Sequence, residues 1–170
     1  MERKNFNTQK MVIAAMMIAL EIILTRFVAI STPMLRIGFG FLPMVILAIY
    51  LGPIWAAGSY AAADVLGSLL FPSGAFFPGF TLSACLTGLI YGLILHRRKI
   101  TVTRTIVAVA IVLIGVNLML NTLWLTILLG KGYMALLPAR AVKELVCIPI
   151  DTLMILAVGK AASRVYRPAV

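Results

Sequence analysis

From Thr105 to Leu129 the chain runs without a single charged side chain. A transmembrane helix needs about 20 predominantly apolar residues, so this stretch alone can cross a bilayer with some tilt. Further apolar runs stand on both sides of it. Hydrophobic residues make up 62% of the chain and charged residues 12%, against about 45–50% and about 25% in soluble domains. That leaves too little polar side chain to build a water-facing surface, so lipid must be the solvent for most of it. The 170 residues leave no room for a soluble domain beside several helices. The expectation is one domain over residues 1–170.

Glycine and proline divide the apolar sequence into segments. The first helix is expected from Thr8 to Phe27. Ser31 to Gly40 carries Pro33, Gly38 and Gly40 and reads as a loop or strand-like re-entrant piece. A short apolar run follows from Phe41 to Leu51, then the turn Gly52-Pro53, then a helix from Ile54 to Phe71. The segment Phe71-Pro72-Ser73-Gly74-Ala75-Phe76-Phe77-Pro78-Gly79-Phe80 cannot be a continuous helix. Helices are expected from Thr81 to Leu95 and from Thr103 to Leu129, the latter broken by Gly130-Lys131-Gly132. A last apolar stretch covers Leu137 to Val165. The spacing predicts an all-α integral membrane protein, a six-helix bundle with both termini cytoplasmic.

The net charge of +10 supports that topology rather than nucleic-acid binding. Arg3, Lys4 and Lys10 precede the first run. Arg97, Arg98, Lys99 and Arg104 form a central cluster, and Lys160, Arg164 and Arg167 close the chain. Six crossings put all three clusters on one face, as the positive-inside rule requires. No basic stripe with interleaved aromatics is present. The basic, then apolar, N-terminus resembles a signal peptide, but no small-residue cleavage site follows, so it reads as a retained helix.

Ionisable residues inside a membrane are costly and mark function or pairing. Asp64, within Ala61-Ala62-Ala63-Asp64-Val65, is a candidate for an interhelical hydrogen bond, for ligand contact, or for both. Glu21, Glu144 and Asp151 are open to simple pairing with nearby Lys or Arg. Arg26, Arg36, Lys131, Arg140 and Lys143 fall on the outer face against the usual charge bias. Each can cap a helix; as a group they suggest an anion-attracting mouth. Phe39, Phe41, Phe71, Phe76, Phe77 and Phe80, with Trp124 and Tyr133, lie towards the same side. They form either an interfacial belt or a cover for a flat aromatic ligand. Asn117 and Asn121, four apart on one face, serve either as interhelical glue or as ligand contacts. Ala15 and Ala19, and the ladder Ala84, Gly88 and Gly92, allow close helix approach. Cys85 and Cys147 lie in apolar runs without metal-ligand spacing and read as packed thiols. No metal site and no cofactor are expected.

The chain has no Walker A sequence, no His-Glu-x-x-His and no Gly-x-Ser-x-Gly. A transporter of this kind would draw its energy from partners, and no nucleophile–base constellation supports an enzyme. Thr25-Arg26-Phe27, Arg36-Ile37-Gly38-Phe39-Gly40-Phe41-Leu42-Pro43, Phe77-Pro78-Gly79-Phe80-Thr81-Leu82-Ser83, Asn121-Thr122-Leu123-Trp124 and Leu136-Leu137-Pro138-Ala139-Arg140 together carry a resemblance. The sequence resembles the substrate-binding S-components of energy-coupling factor (ECF) vitamin transporters, most closely the folate-specific type. The resemblance covers nearly the whole chain.

That resemblance implies a six-helix bundle in the bacterial plasma membrane that binds folate from outside. It also implies a transmembrane coupling subunit, driven by two cytoplasmic ATPases, on which the bundle topples to deliver its vitamin. Ala15 and Ala19 match the family's docking motif. Folate has a flat pterin, a benzoate ring and a dianionic tail. The residues suited to it are Arg26, Arg36 and Arg140 for charge, and Phe39, Phe77, Phe80 and Trp124 for stacking. Asn121 suits hydrogen bonding, and Asp64 suits the pterin N–H and amino groups. Alternatives are an S-component for another vitamin, a stand-alone carrier or channel, which often shows an internal repeat not seen here, and a membrane-embedded enzyme.

Overall fold

The computed structural model describes the backbone of residues 2–31, 36–72, 76–130 and 132–165, and the side chains of 8–29, 38–72, 76–130 and 132–160. The side chains of Arg3, Lys4, Arg36 and Arg164, and all of Lys131 and Arg167, lie outside the described residues. The described chain is almost entirely helical. Helix α1 spans Glu2–Ile23 and runs on as a wider, π-wound turn over Leu24–Val28. Two-residue strands β1 (Ile30–Ser31) and β2 (Arg36–Ile37) pair antiparallel, Ile30 opposite Ile37. Helix α2 is Phe41–Leu51, α3 is Pro53–Leu70 and α4 is Pro78–Leu95. Helix α5 is one rod, Val102–Leu129, α-helical at both ends and π-wound over Ile111–Leu120. Helix α6 covers Tyr133–Val165, with Pro138 and Pro149 inside it. Among the described residues three stretches are long and apolar enough to cross a bilayer, Thr8–Val28, Pro78–Leu95 and Val102–Leu129, while Phe41–Leu51 is a shorter apolar helix.

The boundaries follow local chemistry. Helix α2 ends at Gly52, whose φ of +95° suits a residue without a Cβ, and α3 restarts at once on Pro53. Helix α4 begins at Pro78 rather than at Thr81. A proline at the first helical position costs nothing, because its missing N–H would be unsatisfied there in any case. Helix α6 begins at Tyr133 rather than Leu137, and the Ala135 N–H closes its first turn on the Gly132 carbonyl. Helix α5 ends on Gly130, left-handed at φ +64°. The re-entrant piece after α1 is the small β1–β2 pair.

The main core is drawn from all the helices. It joins Ala14 of α1, Val45, Leu47 and Ala48 of α2, Ala56 of α3, Tyr91 and Leu95 of α4, Ala108, Val109, Val112 and Leu113 of α5, and Cys147 and Ile155 of α6. Cys147 is thus a packed thiol, and Cys85 is half-buried; both are free. Helices α3 and α4 form the most extensive pair. The expected small-residue ladder makes this contact. A Cβ on Gly88 would meet the Ala56 carbonyl oxygen at 2.6 Å, and one on Gly92 would overlap the Cα of Pro53. Ala15 and Ala19, by contrast, are exposed on α1, whose buried positions Ala14 and Ile22 form a narrow stripe two turns apart.

Because α3 and α4 touch backbone to backbone at Gly92, Gly92→Leu must push the helices apart. Overpacking of this kind costs about 1–3 kcal/mol or more. The expected result is a lower melting temperature of the purified protein in detergent; an unchanged one would show that α3 and α4 do not meet there.

Candidate functional site

The candidate site lies where the first turns of α4 meet the C-terminal half of α3 and the last third of α5. Thr81, in the first turn of α4, donates its hydroxyl to Asp64 Oδ2 at 2.8 Å. An interhelical hydrogen bond therefore does explain part of why Asp64 sits in α3. A carboxylate has two oxygens and about four acceptor positions, so this bond leaves acceptor capacity at a half-buried position. Arg26 reaches the same face of α3. Its Nε and Nη2 lie 3.3 Å from where a Cβ on Gly67 would stand, and Gly67 is one turn beyond Asp64. The π-wound turn Leu24–Val28 carries Arg26.

The rings form a cluster over the start of α4. Phe77 packs on Trp124 with centroids 5.6 Å apart, and on Phe80 edge to face at 6.2 Å. The indole Nε1–H of Trp124 donates to the buried Ser83 hydroxyl at 3.0 Å, which fixes the ring plane. Gly79 makes room: a Cβ there would stand 2.5 Å from Trp124 Cδ2 and 2.6 Å from Phe77 Cε1. Phe27 and Phe71 make a separate edge-to-face pair at 5.2 Å. Phe76 is exposed, as is Phe39 at the entry to α2 (50% and 42%), and Phe39 joins no ring pair among the described residues.

One turn from Trp124, Asn121 donates its Nδ2 to Asn117 Oδ1 at 3.1 Å. The buried Asn121 Oδ1 has no hydrogen-bond partner among the described residues, an acceptor available to a ligand. The π-winding of α5 explains the next link. The Asn121 N–H reaches back five residues to the Val116 carbonyl and passes over that of Asn117. Arg140, 8% exposed on α6, donates its Nη2 to this passed-over carbonyl at 3.0 Å. Below it on α6, buried Glu144 pairs with Lys143 at 3.0 Å, the simple pairing open to it from sequence. Glu21 accepts from Thr25 at 2.8 Å.

Six of the sequence candidates thus surround one region: Asp64, Phe77, Phe80, Asn121, Trp124 and Arg140. Arg26 comes to its edge against Gly67, and Phe39 is exposed at the start of α2. Arg36 is seen only as backbone in β2. Sequence reasoning did not single out Thr81, Ser83 or Gly79 as positioning residues. Their signal was present: two hydroxyls and a glycine crowd the start of a helix that is otherwise apolar.

A family model described as the substrate-specific component of ECF transporters matches residues 9–159. A protein of Clostridium novyi (strain NT) named folate transporter FolT is 46% identical over 154 residues, covering 91% of this chain and 90% of that protein. A protein of the same name from Leuconostoc mesenteroides is 34% identical over 151 residues, covering 85% and 81%. A crystal structure of FolT bound with folic acid is similar with a TM-score of 0.86 at 35% identity, covering 89% of this chain and 94% of that one.

Gly79→Ala places a methyl group inside the Phe77–Trp124 contact. The near-ultraviolet circular dichroism of the protein should change as the indole is displaced, while the far-ultraviolet helical signal stays constant. An unchanged near-ultraviolet spectrum would mean that Trp124 does not lie over Gly79.

Proposed function

The chain belongs to the substrate-specific components of ECF transporters, and on that premise we propose that it is the folate-binding membrane subunit of such an importer. It is an integral membrane protein and a transporter component rather than an enzyme. The observation that carries the folate reading is the meeting of Phe77, Phe80 and Trp124 with two polar groups, Asp64 and Asn121. A flat pterin needs both a ring platform and hydrogen-bonding edges. The Asp64 carboxylate accepts from the pterin N–H and amino groups, and Asn121 Oδ1 accepts beside it. Arg26, Arg36 and Arg140 supply positive charge for the carboxylates of the tail, with Phe39 at the rim.

In this reading the whole chain is one transmembrane binding unit that crosses the membrane six times. The basic residues before α1, between α4 and α5, and at the end of α6 then share the cytoplasmic face. The partners are a transmembrane coupling subunit and two cytoplasmic ATPases, which supply the energy that the chain has no site to use. The exposed Ala15–Ala19 face of α1 is the docking surface, since small residues let another helix approach closely. The bundle topples on that subunit and carries its vitamin inward. The same fold serving another vitamin is the second reading, favoured only if folate fails to bind.

Three measurements test this. Titration of the purified protein with folate should quench its tryptophan fluorescence at one equivalent, without ATP. Trp124→Phe, which leaves Trp55, should lose most of that quench; no binding to folate would overturn the reading. Arg26→Ala, Arg36→Ala and Arg140→Ala should each weaken folate binding if they meet the tail, and intact binding in all three would remove the anionic mouth. Replacing Ala15 and Ala19 together by Leu should abolish uptake by the assembled transporter and spare folate binding. Loss of binding would mean instead that these alanines serve the fold.

A further inference from the structure

We propose that the groove where α4 ends and α5 begins seats an anionic phospholipid of the surrounding bilayer, with its phosphate on Arg104 and an acyl chain along Val107 and Ile111. Helix α4 has 18 residues, about 27 Å of rise, close to the thickness of a hydrocarbon core of about 30 Å. Its first turns hold the ring cluster, so its last turn stands near the opposite membrane surface. Arg104 marks that surface on α5, because it is the last charged residue before the uncharged stretch from Thr105 to Leu129. Between the two helix ends an open groove of about 430 Å³ is lined by Ile94, Thr101, Thr103, Arg104 and Val107. This seat is independent of which vitamin binds at the other end of the bundle.

One side of the groove is basic. Arg104 is half-buried, and its Nη1 donates to the Lys99 carbonyl at 3.3 Å. That bond holds the guanidinium at the groove and uses one of its five N–H donors. The others meet no acceptor among the described residues. Arg97, Arg98 and Lys99 are exposed in the connecting loop. Residues 65–143 contain no Asp or Glu, so this part of the chain brings no counter-charge of its own. The end of α6 closes on the same loop: a Cβ on Gly159 would lie 2.7 Å from Ile100 Cδ1. Lys160 follows, exposed and outside the groove lining. The other side is apolar. Arg104, Val107 and Ile111 follow at spacings of three and four, which is one face of α5. Val107 and Ile111 are 47% and 44% exposed, and Ile94 stands on the α4 side. A free phosphate would leave this wall unused, and a zwitterionic lipid would bring its own cation to a basic loop. An anionic phospholipid meets both halves, as basic pockets between membrane helices hold anionic headgroups. The positive-inside bias asks only for charges on one face; it does not ask for a guanidinium half-buried beside an apolar wall.

The test is native mass spectrometry of the full chain in detergent, offered equimolar dioleoylphosphatidylglycerol and dioleoylphosphatidylcholine. One phosphatidylglycerol should be retained in preference to phosphatidylcholine. A cation near the membrane surface strengthens anionic-lipid binding roughly fivefold, so Arg104→Gln should weaken that retention about fivefold or more. Lys160→Gln, outside the groove, should weaken it less. Glycerol phosphate, a headgroup without chains, should not displace the lipid at equal concentration. Equal retention of the two lipids, equal losses in Arg104→Gln and Lys160→Gln, or displacement by glycerol phosphate would each overturn the proposal. If Arg104→Gln does not fold, judged by its far-ultraviolet circular dichroism, the triple variant Arg97→Gln, Arg98→Gln, Lys99→Gln is read in its place. Those side chains are exposed, and the wild-type preference for phosphatidylglycerol surviving their loss would overturn the proposal as well.

Discussion

The backbone contact between α3 and α4 at Gly88 and Gly92 is what the candidate site is built from. With no side chain at those two positions, the helices approach at Ala56 and Pro53 as closely as main-chain atoms allow. Their upper turns then stand near enough for a short threonine on α4 to bridge to Asp64 on α3. Everything on the first turns of α4 is placed from there: Phe77 and Phe80 through the helix start, Trp124 through the Ser83 hydroxyl. A leucine in place of either glycine would change the distance that the Thr81–Asp64 bond has to cover.

A second constraint comes from the solvent. In hydrocarbon every backbone polar group must find an internal partner. The π-wound part of α5 violates the usual ladder by one residue, so a carbonyl at Asn117 is passed over by the N–H that would ordinarily serve it. A guanidinium from α6 takes it. The irregularity is thus tied to a buried cation and to a pair of asparagine side chains. Burying Arg140 brings a charge into the bundle, and Glu144 and Lys143 pair with each other on the following turn.

Much of this was legible in the sequence. The limits of α2 at Phe41 and Leu51 were read correctly because glycine and proline stand immediately outside them. The segment 71–80 was read as a break, and α3 does end at Leu70. Reading Pro78 as part of the break was an error of three residues, since proline suits the first turn of a helix as well as it suits a loop. The π-winding was not legible. Ile111 to Leu120 is apolar on nearly every side, and a segment without a polar face carries no phase from which i→i−5 could be told from i→i−4. The Asp64–Thr81 and Trp124–Ser83 bonds join residues 17 and 41 positions apart; spacing along one helix cannot reveal a pair made across two. The charge of Arg140 was read, but its place on a backbone carbonyl follows from that unseen winding.

Helix α2 has 11 residues, about 16 Å of rise, little more than half of a hydrocarbon core of about 30 Å. A helix so short has a large share of its backbone groups at its two ends. Its last turn is closed by groups that come later in the chain. The Gly52 N–H returns to the Ala48 carbonyl, and His96 Nδ1–H donates to the Ile49 carbonyl at 2.9 Å. At its start the Tyr60 hydroxyl reaches the Phe41 carbonyl at 3.3 Å. During synthesis α2 therefore leaves the ribosome before the residues that complete it. The bonds from Tyr60 and His96 can form only after α3 and the whole of α4 have followed, so α2 reaches its final set of hydrogen bonds late in the assembly of the chain.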